Sequence, residues 1–471
     1  MRKNMVALNT MPKRLEKMTD LIAKYDRPVP RYTSYPTVPY WDDAPTSGEW
    51  IASLNRTFSR SDAPGSDNSW SLYIHIPFCE SLCCFCACNT TISRNHDRYE
   101  GQYIDRVLRE WNTYLAKVPD LATKPLKNIH LGGGTPTFLS PQNLARLLEP
   151  ILDAVNTDKE NFEGSIEVHP NYTTEEHLKT LGDLGFNRIS IGVQDFNLKV
   201  QKLVNRIQPP KVTAKTVSDA RKLGFVSVNF DLIYGLPGQG MEEMQYTIDQ
   251  TIKNRPDRIA LYSLAIVPWI KPAQRHFKDE DLPAPEEKRA LYEYAKTRLL
   301  DAGYIEIGMD HFALGDDDLL LAMNENRLHR NFMGYTDQKT DILLGLGVSS
   351  ISASPDCFHQ NQKILSLYES RAGDGEIPTM RGHKLTAMDQ KIQGQILQLM
   401  TGFKTEFLDM EQEKTITDRL SEMIKDDLVR IENSSLVICE AGKGFLRIVC
   451  AAFDERLAKA KPEQNIFSKA I

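Results

Sequence analysis

Six times between residues 70 and 264 the chain alternates a short strand-like run with an amphipathic helical one. The strand runs fall at 72–76, 128–131, 165–169, 188–194, 226–234 and 258–264. A helix between successive strands carries the chain back across the sheet, so the strands pair in parallel and are covered by helices. An α/β architecture built as a six-unit incomplete barrel fits that number. Helix ends agree with it. Ser140-Pro141 offers an N-cap followed by proline, and Thr173 with Glu176 has capping-box spacing. Gly185, Gly224 and Gly303 stand where C-terminal stops are expected.

Side chains alternate faces along a strand. One face carries Ser165, Glu167 and His169, and the other Ile166 and Val168. Arg188, Ser190 and Gln194 separate in the same way from Ile189, Ile191 and Val193. So do Asn229 and Asp231 from Phe230 and Leu232, and Tyr73 and His75 from Ile74 and Ile76. A parallel sheet packed on both faces reads apolar on both. The polar face is therefore either open to solvent or the wall of a hydrated ligand cavity, and helix-covered parallel strands favour the cavity. The run 258–264 lacks a clear split.

The loop after the first strand holds five of the eight cysteines: Cys79, Cys83, Cys84, Cys86 and Cys88. A disulfide scaffold spreads its cysteines, so this crowding indicates a metal site in a reducing compartment. Cys357, Cys439 and Cys450 stand alone and read as buried apolar fillers. Cys79-x-x-x-Cys83-x-x-Cys86 can hold three corners of a 4Fe–4S cluster and leave one iron open. Half a zinc site at Cys83-x-x-Cys86 is an alternative, although no second pair stands at a suitable distance. A closed ferredoxin-like cluster using Cys88 is another. Gly132-Gly133-Gly134-Thr135 follows the second strand, where glycines let backbone approach a ligand or simply make a tight turn.

The remaining features set limits. A net charge of -6 gives no basic footprint for nucleic acid. No apolar run approaches the roughly 18 residues of a membrane span, and nothing reads as a secretory signal. A cytoplasmic location is expected. Residues 1–64 form an N-terminal extension with one helical pattern at 15–25. Residues 65–384 form the catalytic unit, with the barrel at about 70–304, and regular alternation fades after 304. Residues 385–471 read as a mainly helical C-terminal domain, with short strands at 429–431 and 436–438.

Ordered motifs from Arg31 onward resemble the oxygen-independent coproporphyrinogen III oxidase family of radical S-adenosylmethionine (SAM) proteins. They are Arg31-Tyr-Thr-Ser-Tyr-Pro-Thr37, Tyr73-Ile-His-Ile-Pro-Phe-Cys79, the cysteine loop, Gly132–Thr137, Gly192-Val-Gln-Asp-Phe196 and Asn205-Arg206. Asp231-Leu-Ile-Tyr-Gly-Leu-Pro237, Met309–Ala313, His329–Tyr335 and Gly347-Val-Ser349 follow. The resemblance implies a radical-SAM barrel that decarboxylates two propionates of coproporphyrinogen III to vinyls, giving protoporphyrinogen IX. In that scheme a 5′-deoxyadenosyl radical removes hydrogen from the propionate β-carbon.

It further implies a 4Fe–4S cluster on Cys79, Cys83 and Cys86, and two SAM molecules. Tyr73, Gly133, Glu167 and Ile351 match contacts to the cluster-bound SAM. Phe85, Gly134, Thr135, Gln194, Arg206, Asp231 and Ala265 match contacts to the second. No acid or base is assigned, and His75 and Cys88 have supporting roles. Cys84 stands where the family has an aromatic residue and is read as a non-ligand.

Arg31, Arg94 and Arg330 are candidates to meet the four substrate propionates. An electron donor such as flavodoxin or ferredoxin and a monomeric state are expected. The rival reading is a haem-binding chaperone-like relative or another porphyrin-acting radical SAM protein. Such chaperones lack the 31–37 motif and the fourth loop cysteine, both present here.

Overall fold

A computed structural model describes residues 20–60, 68–158, 161–269, 271–459 and 467–469. Six parallel strands lie side by side in chain order: β1 (Trp70–Ile76), β2 (Pro125–Gly133), β3 (Glu163–Val168), β4 (Phe186–Gln194), β5 (Ser227–Tyr234) and β6 (Arg258–Ser263). They coincide with the expected runs to within a few residues. The crossovers run through α1 (His96–Lys117), α2 (Pro141–Leu152), α3 (Glu175–Asp183), α4 (Pro210–Lys222) and α5 (Met241–Asn254), and α6 (Pro285–Asp301) follows β6.

Strand parity decides the packing. Ile74, Ile166, Ile191, Phe230 and Leu232 point outward and join one apolar cluster with Val107 of α1, Leu147 of α2 and Ile248 of α5. Burying each such side chain contributes about 1.5–3 kcal/mol before entropy is counted. Helix ends follow local chemistry. The Ser140 hydroxyl accepts from Asn143 N at 3.3 Å, and Gly185, Gly224 and Gly303 take φ of +87°, +88° and +93°. The capping box at α3 lies one residue later than expected, on Thr174 and His177. Thr173 is occupied elsewhere, its hydroxyl donating to His169 O at 3.0 Å.

The sheet continues beyond six strands. Beyond 304 come β7 (Tyr304–Gly308), β8 (His311–Leu314), a separate hairpin of β9 (His329–Asn331) and β10 (Gly334–Thr336), then β11 (Ile342–Leu346), β12 (Ile351–Ser354), β13 (Cys357–Asn361) and β14 (Thr379–Lys384). β11 pairs parallel to β1, β12–β14 continue antiparallel, and β8 then β7 extend the other edge from β6. The fading of regularity after residue 304 thus reflects mainly antiparallel order, with β11 the exception.

The C-terminal residues form helices around the expected strands Val429–Glu432 and Ser435–Ile438, joined by a third, Lys404–Glu406. Their apolar cluster takes in Leu21, Ile22, Val29, Tyr32 and Tyr35. The N-terminal segment is therefore a wall of the C-terminal core. Arg447 ties the two ends, its guanidinium donating to Pro30 O, Val29 O and Lys469 O. Residues 20–25 are helical, and 15–19 of the expected helix lie outside the described residues. Cys357 and Cys450 are buried as expected, whereas Cys439 is half-buried. No helix among the described residues is long and apolar enough to cross a membrane.

Candidate functional site

A cavity of about 410 Å³ occupies the barrel axis. Its wall is the polar parity face: Ser165, Glu167, Ser190, Gln194, Asn229 and Asp231 all line it. β6 contributes as well, through Arg258, Ala260 and Tyr262. The split was illegible there because Ala260, though inward, is small and apolar. His130 of β2 is a cavity residue the parity argument passed over. Its ring stacks on Tyr73 with centroids 5.9 Å apart, and its nitrogens meet Ser165 Oγ at 2.7 Å and Glu167 Oε1 at 3.5 Å.

The cysteine loop forms the rim at the C-terminal ends of the strands, where sites of such barrels sit. Cys79, Cys83, Cys86 and Cys88 line the cavity together with Phe85, and Cys84 does not. The loop is braced by the turn after β4. Cys84 N donates to Val204 O at 3.0 Å, Asn205 Nδ2 to Leu82 O at 2.8 Å, and Arg206 Nη1 to Cys83 Sγ at 3.6 Å. The other arm of Arg206 donates to Gly192 O, and its Nε is buried without a hydrogen-bond partner. Burial pushes the Cys79 thiol up to about 11, while hydrogen bonding from Cys88 holds Cys86 down to about 6.

Among the described residues, no three His, Cys, Asp or Glu side chains gather tightly enough for one metal ion. A cubane presents separate corners, so three thiols spread along one loop suit it better than a mononuclear zinc site. The glycine turn supplies the adjoining space. A Cβ on Gly134 would lie 2.7 Å from Phe78 O, and one on Gly133, whose φ is +113°, would lie 2.6 Å from the His75 ring. Gly133, Gly134 and Thr135 line the cavity, and the amides of the turn are engaged by the protein itself. Gly133 N donates to Glu167 Oε2 at 3.1 Å, Gly134 N to Ile76 O and Thr135 N to Phe78 O, both at 2.8 Å. These glycines allow close approach of neighbouring groups at the cavity wall.

Of the carboxylates that line the cavity, Glu167 and Asp231 stand on the polar strand faces. Burial pushes Glu167 up, but His130 and the Gly133 N–H outweigh it and hold the group below its usual range. Asp231 is raised to about 6 by burial and by Glu167, against hydrogen bonds from Ser190 and Asn229. Charges at the N-terminal ends of the strands pair off. Arg188 meets Glu163 at 2.7 Å and Asp318 at 2.5 Å, and Arg258 meets Asp317 at 2.7 Å. The β9–β10 hairpin closes that region through Asn331, Met333 and Tyr335.

Other expected residues stand apart. Tyr73 and His75 lie behind the wall, with Tyr73 Oη 2.9 Å from His75 Nδ1 and His75 Nε2 2.9 Å from Asn89 O. Ile351 opens β12 and Ala265 follows β6, and neither side chain lines the cavity. Ala265 O nevertheless accepts from Gln274, which also donates to Phe85 O, so it is coupled to the cysteine loop. Arg94 is exposed at the surface, away from the cavity. Arg330 donates to Tyr32 O at 3.0 Å and lies over the Tyr335 ring. Arg31 lines a second cavity.

Residues 73–251 match the profile of the radical SAM superfamily. The chain is 36% identical to the oxygen-independent coproporphyrinogen III oxidase of Synechocystis sp., covering 97% of this chain and 98% of that one. It is 37% identical to the enzyme of the same name from Escherichia coli, over 96% and 98%. The solved structure of coproporphyrinogen III oxidase from Escherichia coli, a radical SAM enzyme, superposes with a TM-score of 0.84 at 36% identity, covering 91% of this chain and 98% of that chain.

Proposed function

The chain belongs to the oxygen-independent coproporphyrinogen III oxidase family and is a radical SAM enzyme, and we propose how its own residues divide the work. The reaction is the anaerobic oxidative decarboxylation of two propionates of coproporphyrinogen III, giving protoporphyrinogen IX in porphyrin biosynthesis. When bound, the cluster and SAM supply a 5′-deoxyadenosyl radical that takes a hydrogen from the propionate β-carbon, so that CO₂ and one electron leave.

Cys79, Cys83 and Cys86 hold the cluster at the rim, and Arg206 donates to the Cys83 sulfur. Glu167 is kept ionised by His130 and Gly133, which suits it to accept from a SAM ammonium or hydroxyl. Asp231, fixed by Ser190 and Asn229, offers acceptors deeper in the barrel. Together with Phe85, Gln194 and Arg206 it is placed to hold a second SAM. Tyr73 and His75 hold the wall behind Gly133, and Ala265 is linked to the cysteine loop through Gln274. The observation that carries the assignment is the three-thiol loop sitting over a cavity walled by Glu167 and Asp231.

A flavodoxin or ferredoxin as donor, a cytoplasmic location and a monomeric state complete the reading. Anaerobically reconstituted protein, given SAM, reductant and coproporphyrinogen III, is expected to yield protoporphyrinogen IX on chromatography. No product, together with stable haem binding, would instead mark a haem chaperone.

A further inference from the structure

Beyond the barrel lies a second cavity of about 350 Å³, between the segment after β6, the start of α6 and the two chain ends. Among the described residues its lining carries five cations, Arg31, Lys288, Arg289, Arg447 and Lys469, against one carboxylate, Asp26. Most of these charges are accounted for. Arg447 is held by three carbonyls, Arg289 pairs with Glu293, and Lys469 lies 3.5 Å from Asp26.

Arg31 and Lys288 are different. Lys288 Nζ, with three donors, gives one hydrogen bond among the described residues, to Leu264 O at 3.1 Å, and lies over the Tyr234 ring 5.8 Å from its centroid. Arg31 makes a long, partly exposed ion pair with Asp310 at 3.8 Å. Its guanidinium also lies over the ring of Tyr262, 5.5 Å from the centroid. Tyr262 lines the barrel cavity, so Arg31 stands at the seam between the two spaces.

Burial lowers Lys288 to about 8; Asp26 opposes the shift, and Arg31, Arg447 and Lys469 add to it. A bound anion would relieve that repulsion. The remaining walls are mostly apolar or aromatic, including Ile22, Tyr234, Ile266 and Trp269, with Ser263 and Ser468 among them. An apolar body bearing carboxylates suits such a site, with the guanidinium able to bind a carboxylate bidentately.

We propose that this second cavity anchors the substrate propionates that do not react, with Arg31 and Lys288 as the clamp. The assignment rests on the coproporphyrinogen reading above. Two of the four propionates survive the reaction, and they sit on the macrocycle away from the pair that must approach the radical. Cations in the barrel are engaged elsewhere, Arg188 and Arg258 with carboxylates and Arg206 with Cys83 and Gly192 O. The carboxylate of a SAM molecule shares this chemistry, so the test separates the two sources.

The test uses the full chain and stable porphyrins as probes, read by quenching of protein fluorescence, with Trp269 on the cavity wall as a reporter. Coproporphyrin III carries all four carboxylates, protoporphyrin IX only the two survivors, and coproporphyrin tetramethyl ester none. Arg31→Met and Lys288→Met are each expected to weaken both acids by about tenfold, the loss of one charge-assisted hydrogen bond. Binding of the ester and of SAM is expected to be unchanged.

Protoporphyrin binding equal to wild type in both variants would overturn the proposal, as would a loss confined to SAM. Should either variant fail to fold, Arg31→Lys and Lys288→Gln carry the same comparison. An inactive wild type whose porphyrin binding still depends on Arg31 and Lys288 would overturn the oxidase reading and support the cavity.

Discussion

Arg206 Nη1 donates to Cys83 Sγ at 3.6 Å across 123 residues of sequence. The contact brings a fixed cation from the turn after β4 to a proposed cluster ligand. Hydrogen bonds and charge at the sulfur tune an iron–sulfur potential. Removing a donor and its positive charge destabilises the reduced state, so Arg206→Met is expected to make the potential more negative. A charge-assisted bond of about 1.5 kcal/mol corresponds to about 60 mV for one electron. An EPR-monitored redox titration checks this, and an unshifted midpoint would contradict it.

The crowded loop separates into members by position. Cys79, Cys83 and Cys86 line the cavity and Cys84 does not. Serine in place of any of the first three is expected to abolish most iron incorporation. Cys84→Ser is expected to keep wild-type iron content and visible absorbance after reconstitution. Equal loss across all four variants would count against the assignment.

Gly133 combines a φ of +113° with a Cβ position 2.6 Å from the His75 ring. Alanine there is strained and displaces His75 from Tyr73 and Asn89. Gly133→Ala is expected to lower stability by about 1–3 kcal/mol and to weaken SAM binding with the cysteine loop intact. Denaturant unfolding and SAM titration measure the two effects separately.

Glu110 on α1 is fully buried, and burial raises it from 4.5 to about 7 despite bonds from Gly347 N, Tyr368 and Asn361. The unfolded chain ionises near 4.5, so folding favours the protonated acid. That contribution is complete below pH 4.5 and is lost as pH rises through about 7, on the order of 3 kcal/mol in all. Glu110→Gln is expected to gain stability relative to wild type between pH 5 and 8. Parallel stability curves for the two proteins would refute it.

The barrel strands and their polar faces were legible because both rest on period-two alternation within single segments. The cysteine loop was legible for the same reason: its spacing is contained in eight consecutive residues. β11 was not, since Ile342-Leu-Leu-Gly-Leu346 is buried along its whole length and shows no alternation to read. The position of Arg94 was not legible either: it lies beside the loop in sequence, yet it is exposed and does not line the cavity. Lys288 went unnoticed, as one lysine in a helical run carries no signal of its own.

The sequence alone determined that Cys79, Cys83 and Cys86 share a loop at the end of a strand, and that Glu167 and Asp231 face inward. Those facts depend on local spacing and on strand parity. Tertiary structure alone decided that Arg206 reaches Cys83, that His130 supports Glu167, and that Arg31 and Lys288 meet in one cavity. Each of these joins residues from separate elements, and no local rule specifies which side chains share a space once the sheet curls and both chain ends fold against it.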